Sequence, residues 1–238
     1  MFNKLSDVAF VGNAYVKGPV KAVALSFHGL GYTNMKTLPE TDELELAYHG
    51  GLCVFPYCSP WGWMNENTVK VVDEIVRRVY AESGIPGDVP LILRGGSMGG
   101  HAALNYALHG AKTPAAVAVV CPAVDLTCHM NERPDLPRTF LYAYGFGPKP
   151  FAEELKENTP SENAQRMPYV PYLVIHGTAD HAVNKAAHSD IFVDRMRETG
   201  HEVEYIEAEG MEHCVFADYA VFRRYMDFTL GFFMGDKS

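Results

Sequence analysis

Short apolar segments with the spacing of β-strands alternate along this chain with amphipathic segments that have the spacing of α-helices. Seven segments are predicted strands, and four of them are near-continuous apolar runs, which is typical of strands covered on both faces. In chain order, the predicted strands are DVAFVG, AVALSFHG, GLCVFPYC, PLILRGG, AVAVVCPAV, PYLVIHG and VEYIEAEG. The alternation predicts an α/β fold with a mostly parallel central sheet and helices on both of its faces.

Helical periodicity is clearest in residues 65–84, where apolar side chains recur every three or four positions and Gly84 is a suitable stop. Further helices are predicted over 101–110 and 184–200. A last helix is predicted over 218–235, and its broad aromatic stripe is typical of core packing.

Residues 126–168 interrupt this alternation, because prolines are spread through them and no strand pattern is visible. We expect a short helical excursion between two strands. The sequence leaves open whether this excursion is a small cap over a site or a crossover on the surface. No repeat, low-complexity segment or linker divides the chain, so residues 1–238 are predicted to form a single domain.

Composition and charge narrow the classes of function. The net charge of −9 argues against nucleic acid as a partner, since phosphate binding needs a basic face. No apolar run approaches the roughly 20 residues that span a bilayer, so no membrane insertion is expected. The N-terminal sequence lacks a signal-peptide pattern and the chain has no Asn-x-Ser/Thr sequon, which predicts a cytoplasmic location. The sequence indicates no oligomeric state.

Neither a metal nor an organic cofactor is expected. The five cysteines form no closely spaced pairs of the zinc-site kind, and the histidines show no metal-ligand spacing. The glycines around residue 97 lack the spacing and the downstream acid of a phosphate or dinucleotide loop. For Cys214, which follows a histidine of interest, a buried apolar role is expected.

The most informative segment is LILRGGSMGG, residues 91–100, in which an apolar strand leads directly through Gly-x-Ser-x-Gly into a helical pattern. A tight strand-to-helix turn exposes the serine and directs the first amides of the helix toward it. Gly95 and Gly99 suit positions where the backbone approaches too closely for larger side chains. Ser97 is therefore the candidate nucleophile.

An acid and a base are expected at the ends of later strands, because the carboxyl ends of parallel strands share one edge of the sheet. Asp180 follows the strand PYLVIHG, and His213 lies in the loop after the last strand. The order Ser97, Asp180, His213 predicts a triad. In it, His213 accepts and returns the proton of Ser97, and Asp180 orients the imidazole ring of His213. Asp125, after the strand AVAVVCPAV, is a rival for the acid that we rank lower.

The oxyanion hole needs two amide donors. Met98, directly after the nucleophile, is the first candidate, and Leu30 in the segment His-Gly-Leu-Gly is the second. His28 and His176 are expected to have structural roles.

These motifs resemble the α/β-hydrolase superfamily over nearly the whole chain. Gly-Gly-Ser-Met-Gly-Gly, Ile-His-Gly-Thr-Ala-Asp, the late Glu-His and the segment 158–164 are similar to the prolyl-oligopeptidase-type catalytic domain and its stand-alone esterase relatives. The resemblance implies an α/β-hydrolase fold and a serine hydrolase. Peptidases of that group carry an N-terminal propeller, which we expect to be absent, and no acidic anchor for a substrate amino terminus is identifiable. Both expectations favour the esterases.

We therefore predict a serine esterase that cleaves a small-molecule carboxylic ester through an acyl-enzyme on Ser97. A peptidase or amidase with the same triad is the alternative, acyl transfer to an alcohol stays open, and a catalytically silent binding protein ranks last. Trp61 and Trp63, in the loop after the third predicted strand, are candidates for substrate binding. The competing interpretation is that they seal this loop onto the core.

Overall fold

A computed structural model describes residues 2–233 of the chain. Met1 and residues 234–238 lie outside the described residues, and with them the last two positions of the helix predicted over 218–235. Seven strands form one sheet in the order β1-β3-β2-β4-β5-β6-β7, and only β1 runs antiparallel to its neighbour. The strands are Ala9–Val11 (β1), Ala22–Phe27 (β2), Gly51–Pro56 (β3), Leu91–Gly96 (β4), Ala116–Val120 (β5), Tyr172–Gly177 (β6) and Val203–Ala208 (β7).

Eight α-helices accompany the strands within the described residues. They are Thr41–Tyr48 (α1), Glu66–Glu82 (α2), Met98–His109 (α3), Leu126–His129 (α4), Leu136–Tyr144 (α5), Phe151–Glu157 (α6), Ile191–Glu198 (α7) and Tyr219–Leu230 (α8). Short 3-10 segments lie at Leu5–Asp7, Asn13–Tyr15 and Pro160–Arg166, and a π-helical turn, Ala186–Asp190, leads into α7. No helix among residues 2–233 is long and apolar enough to cross a membrane. The predicted fold class, an α/β fold around a mostly parallel sheet, is confirmed.

One helix, α1, has no counterpart among the helices predicted from the sequence, and its residues, TDELELAY, are rich in acids. Its start is fixed by charge and capping rather than by an apolar stripe. The Glu43 carboxylate accepts a hydrogen bond of 2.8 Å from the Glu40 amide and lies 2.7 Å from the Lys36 ammonium. This capping arrangement stabilises a helix without a strong hydrophobic signal.

Alternate side chains of β2 point to opposite faces of the sheet, as the two-residue period of a strand requires. Val23 and Leu25 point to the face covered by α2, α3 and α7. Ala22 and Ala24 point to the opposite face, where α1 and α8 pack. The alanines of β2 and β5 on that face leave room for the aromatic side chains of α8.

The excursion over 126–168 is helical, as expected, and consists of α4, α5, α6 and a 3-10 segment. It encloses an apolar cluster of its own that includes Leu126, Phe140 and Tyr144. Met98, the first residue of α3, belongs to the same cluster, and Leu30 packs against it. The excursion therefore lies beside the turn that carries Ser97.

Candidate active site

Ser97 sits between β4 and α3 with a backbone conformation that few non-glycine residues adopt. Its φ is 58° and its ψ is −126°. Such a conformation costs on the order of 1–3 kcal/mol and persists only where neighbouring structure holds it. Here the Ser97 amide donates a 2.9 Å hydrogen bond to the Val120 carbonyl at the end of β5.

The glycines two positions before and after Ser97 are required by close backbone contacts. A Cβ atom on Gly95 would lie 2.2 Å from the Gly99 carbonyl oxygen. A Cβ atom on Gly99 would lie 2.2 Å from the carbonyl oxygen of Phe27, at the end of β2. The turn is therefore pressed against the start of the segment His-Gly-Leu-Gly, 28–31, from which Leu30 was predicted to donate.

Asp180 and His213 form a close pair. The Nδ1 atom of His213 lies 2.7 Å from Oδ2 of Asp180. The other carboxylate oxygen accepts hydrogen bonds from the amides of Ala182 and Val183, at 2.8 and 3.0 Å. These bonds fix the carboxylate, whose side chain is fully covered, while 28% of the His213 side chain is exposed.

The surroundings of the pair shift the two pKa values in opposite directions. Burial alone would raise the pKa of Asp180, but the hydrogen bonds from His176, His213 and the two amides hold it well below its usual range. Burial alone would lower the pKa of His213. The hydrogen bond to Asp180, a contact with the Cys121 thiol and the Asp180 charge outweigh burial and raise it to about 9.

His176 contributes to the same arrangement from β6. Its Nε2 lies 3.3 Å from Oδ2 of Asp180, and its Nδ1 lies 2.6 Å from the Ser189 hydroxyl. The structural role expected for His176 is thus a specific one, because its Nε2 approaches the same carboxylate oxygen of Asp180 as His213 does.

Asp125, the rival acid, is engaged elsewhere. Its carboxylate accepts a 2.8 Å hydrogen bond from the Cys128 amide and caps the N-terminus of α4. In the described residues, none of its hydrogen bonds reaches His213. The geometry therefore favours Asp180 as the partner of His213.

A pocket of about 440 Å³ opens at the carboxyl ends of the strands. Ser97, His213 and Leu30 line it together, and Met98 directly follows Ser97 at the start of α3. The remaining lining residues are Phe27, Gly29, Gly96, Arg133 and Cys214. His28 holds the Leu30 loop in place, because its Nε2 accepts a 3.0 Å hydrogen bond from the Cys58 amide.

The two tryptophans have different environments. Trp61 lines a neighbouring pocket of about 420 Å³ with Tyr142 from α5, and the two rings meet edge to face. Trp63 is only 1% exposed, stacks on Phe140, and donates its indole N–H to Thr139. The expectation that Trp63 binds substrate is therefore corrected: it seals the loop onto the excursion, the competing interpretation of the sequence.

Three side chains near Ser97 were not predicted. Arg133 comes from the excursion and is held by Asp135 through two hydrogen bonds, of 3.0 and 2.6 Å. Cys214 and Cys121 lie next to His213, and their two sulfur atoms and one imidazole nitrogen lie within 4.8 Å of one another. The hydrogen bond with the Cys214 thiol opposes the effect of burial and lowers the pKa of the Cys121 thiol below its usual range. The position of Cys121, directly after β5, was the signal available for it.

Comparison with known proteins gives a family and a set of structural neighbours. The sequence profile described as "Prolyl oligopeptidase family" matches residues 64–235. No protein with a curated description shows significant sequence similarity to the chain.

Solved structures with the same fold include peptidases and esterases. A puromycin-hydrolyzing peptidase from Mycobacterium tuberculosis is 20% identical, with a TM-score of 0.72 over 91% of this chain and 34% of its own. Esterase B from Lactobacillus Rhamnosis is 13% identical, with a TM-score of 0.71 over 92% of this chain and 78% of its own. The thermophilic esterase Est2 from Thermogutta terrifontis is 18% identical, with a TM-score of 0.67 over 97% and 91%. The chain thus spans about a third of the peptidase and most of each esterase.

Proposed function

This chain belongs to the prolyl oligopeptidase family, and we propose that it hydrolyses carboxylic esters through an acyl-enzyme on Ser97. Family membership makes the chain a serine hydrolase with the α/β-hydrolase fold. The proposal concerns the bond that it cleaves and the residues that cleave it.

In the first half-reaction, Nε2 of His213 accepts the proton of the Ser97 hydroxyl while the oxygen attacks the ester carbonyl. The resulting oxyanion accepts hydrogen bonds from the Met98 and Leu30 amides. Asp180 keeps the proton of the neutral ring on Nδ1 and stabilises the imidazolium that forms. The imidazolium then returns its proton to the leaving alcohol.

In the second half-reaction, water gives a proton to His213 and attacks the acyl carbonyl. His213 then gives this proton to the Ser97 oxygen as the bond between that oxygen and the acyl group breaks, which releases the acid and restores the Ser97 hydroxyl. The single observation that carries this mechanism is the Asp180–His213 pair, 2.7 Å apart, whose exposed imidazole lines one pocket with Ser97.

Two observations support an ester rather than a peptide. No carboxylate lines the Ser97 pocket within the described residues, and its fixed charge is the guanidinium of Arg133, so a protonated amino terminus has no anchor there. The pocket beside it offers the aromatic surface of Trp61 and Tyr142, which suits an apolar or aromatic group of a small ester. The match to 91% of the esterase Est2 agrees with this choice.

The five cysteines support a reducing compartment, which we propose is the cytoplasm. All five are free thiols, including Cys121 and Cys214, whose sulfur atoms lie within 4.8 Å of each other. Peptide or amide cleavage is the second candidate function, because structural neighbours include puromycin-hydrolyzing peptidases.

A matched substrate series tests the proposal. The same acyl group is joined to the same aromatic leaving group through oxygen or through nitrogen, and kcat/KM is measured for the native chain and for Ser97→Ala. We expect turnover of the esters, its loss in Ser97→Ala, and covalent labelling of Ser97 by a fluorophosphonate. A higher kcat/KM for the amides would reverse the order of the two functions, and an unlabelled Ser97 in folded protein would refute both.

A further inference from the structure

We propose that Cys121, Cys214 and His213 form a binding site for a thiophilic divalent cation such as Zn²⁺, and that a bound cation inhibits the enzyme. One metal-ligating atom from each of these residues lies within 4.8 Å of the other two. Two thiols and an imidazole are ligands that zinc prefers, whereas magnesium and calcium prefer oxygen.

The spacing of the three atoms is close to that of a zinc site. Zinc–sulfur bonds of about 2.3 Å and zinc–nitrogen bonds of about 2.0 Å in a tetrahedron place ligand atoms about 3.5–3.8 Å apart. Nε2 of His213 lies 4.0 Å from the Cys214 sulfur. Only small adjustments of these side chains are needed for both atoms to bind one ion.

The hydrogen bonds of His213 favour the same role. Its Nδ1 is held by Asp180 at 2.7 Å, so the proton of the neutral ring lies there, and Nε2, which then carries the lone pair, lies 4.0 Å from the Cys214 sulfur. Zinc-binding histidines are oriented in this way, with the second nitrogen bonded to a carboxylate. Cys214 and His213 also line the Ser97 pocket, which gives a cation a route to the buried Cys121.

A second cluster, formed by Cys128, Glu132 and His188, has similar spacing, but its histidine is in a tautomer that is unsuited to metal binding. Nδ1 of His188 accepts hydrogen bonds from the Val124 and Asp125 amides, both at 3.1 Å, so Nε2 carries the proton of the neutral ring. A metal at Nε2 would have to displace that proton and leave an imidazolate. This cluster therefore serves as the comparison site.

Inhibition follows from the ligand that the metal takes. A cation on Nε2 of His213 occupies the lone pair that accepts the Ser97 proton, so both half-reactions stop. This consequence rests on the proposed function of Ser97 and His213, whereas the metal site itself does not.

The experiment titrates the metal-free native chain with Zn²⁺, with the thiols kept reduced by a phosphine. Bound metal, fluorophosphonate labelling of Ser97 and ester hydrolysis are followed together, and Mg²⁺ is the control cation. We expect one zinc per chain, a parallel loss of labelling and hydrolysis, and recovery on addition of a chelator. In the native chain, bound Co²⁺ should give the near-ultraviolet charge-transfer absorption of a thiolate complex, a readout that needs no variant protein.

Single variants locate the site, each normalised to its own metal-free rate. Cys121→Ser and Cys214→Ser should each weaken zinc inhibition at least about 100-fold, since the loss of an outer-shell partner alone costs about 10–100-fold. The matched control Cys128→Ser should respond like the native chain. Equal inhibition of all three variants, loss of inhibition in Cys128→Ser alone, or a Co²⁺ complex without thiolate absorption would overturn the inference. Cysteine-dependent zinc binding in a chain that hydrolyses no ester would support the site and refute the proposed function.

Discussion

Two carboxylates in this molecule, Asp180 and Glu132, each lie within hydrogen-bond distance of two histidines. The two arrangements differ in what contacts a ring nitrogen of one histidine in each. Asp180, after β6, is bonded by His213 at 2.7 Å and approached by His176 at 3.3 Å. Glu132, in the excursion, is bonded by His129 at 2.5 Å and by His188 at 3.3 Å. The difference lies in His213 and His188, at the ring nitrogen that does not contact the carboxylate.

In His188, the second nitrogen is occupied by two backbone amides, and the ring is fully buried. In His213, the second nitrogen faces thiols and a pocket, and 28% of the side chain is exposed. A histidine–carboxylate pair thus supports proton transfer only where one nitrogen is left available and accessible. The same pair with both nitrogens occupied joins the excursion to the rest of the fold.

The largest expected effect is the loss of kcat when a residue of the Asp180–His213 arrangement or its nucleophile is replaced. Ser97→Ala and His213→Ala should each lower kcat by up to about 10⁶-fold, by analogy with other serine triads, because nucleophile and base act as a unit. The measurement is steady-state ester hydrolysis with active-site titration to exclude contaminating enzyme. The double variant should be scarcely worse than either single one, and additive losses would contradict a shared role.

The next effect tests which acid serves His213. Asp180→Asn should lower kcat by about 10⁴-fold, because the wrong tautomer of the histidine is then favoured. Asp125→Asn, the matched control, removes the charge but keeps an acceptor oxygen for the Cys128 amide at the start of α4, so it should leave most of the activity. If Asp125→Asn is the more damaging variant at equal folded fraction, the assignment of the acid is wrong.

A stability effect is expected from the other carboxylate. Glu132→Ala leaves two buried histidines without their acceptor and should lower the free energy of unfolding by about 1–3 kcal/mol. Urea denaturation measures the change, and fluorophosphonate labelling below the transition checks that Ser97 is still reactive. Loss of labelling in a fully folded variant would show that Glu132 belongs to the reactive arrangement after all.

The smallest expected effect is a shift that Cys121→Ser causes in the dependence of kcat/KM on pH, measured on chelator-treated enzyme. Protonated His213 cannot accept the Ser97 proton, and its pKa is raised to about 9, so kcat/KM should rise with pH through the range from 6.5 to 9. The Cys121 thiol contributes to the raised pKa, whereas Asp180 contributes most. Cys121→Ser should therefore move the rise to lower pH, and a shift to higher pH would contradict the contact.

Much of this site was predictable because its determinants are local. Asp180 and His213 lie in the loops after two strands whose carboxyl ends share one edge, and the structure brings the two side chains to 2.7 Å. The turn at Ser97 was predictable for the same reason, since its glycines flank it in sequence. The catalytic roles of these residues, of Leu30 and of Met98 stay predictions.

What the sequence could not give depends on contacts between distant segments. Cys121 and Cys214 meet because β5 and the loop after β7 converge, and nothing in their spacing shows it. Trp63 and Trp61 look equivalent in sequence, but only Trp63 is covered by Phe140, 77 positions later. Arg133 reaches the pocket only through the path of the excursion.

The close contact between Gly99 and the Phe27 carbonyl has a consequence for protein engineering. The serine turn and the loop that carries Leu30 are in backbone contact, so neither can be rebuilt without moving the other. Attempts to change substrate preference should leave both segments intact. The side chains of Trp61, Arg133 and Tyr142 come from other segments and can be varied as a library without disturbing the turn.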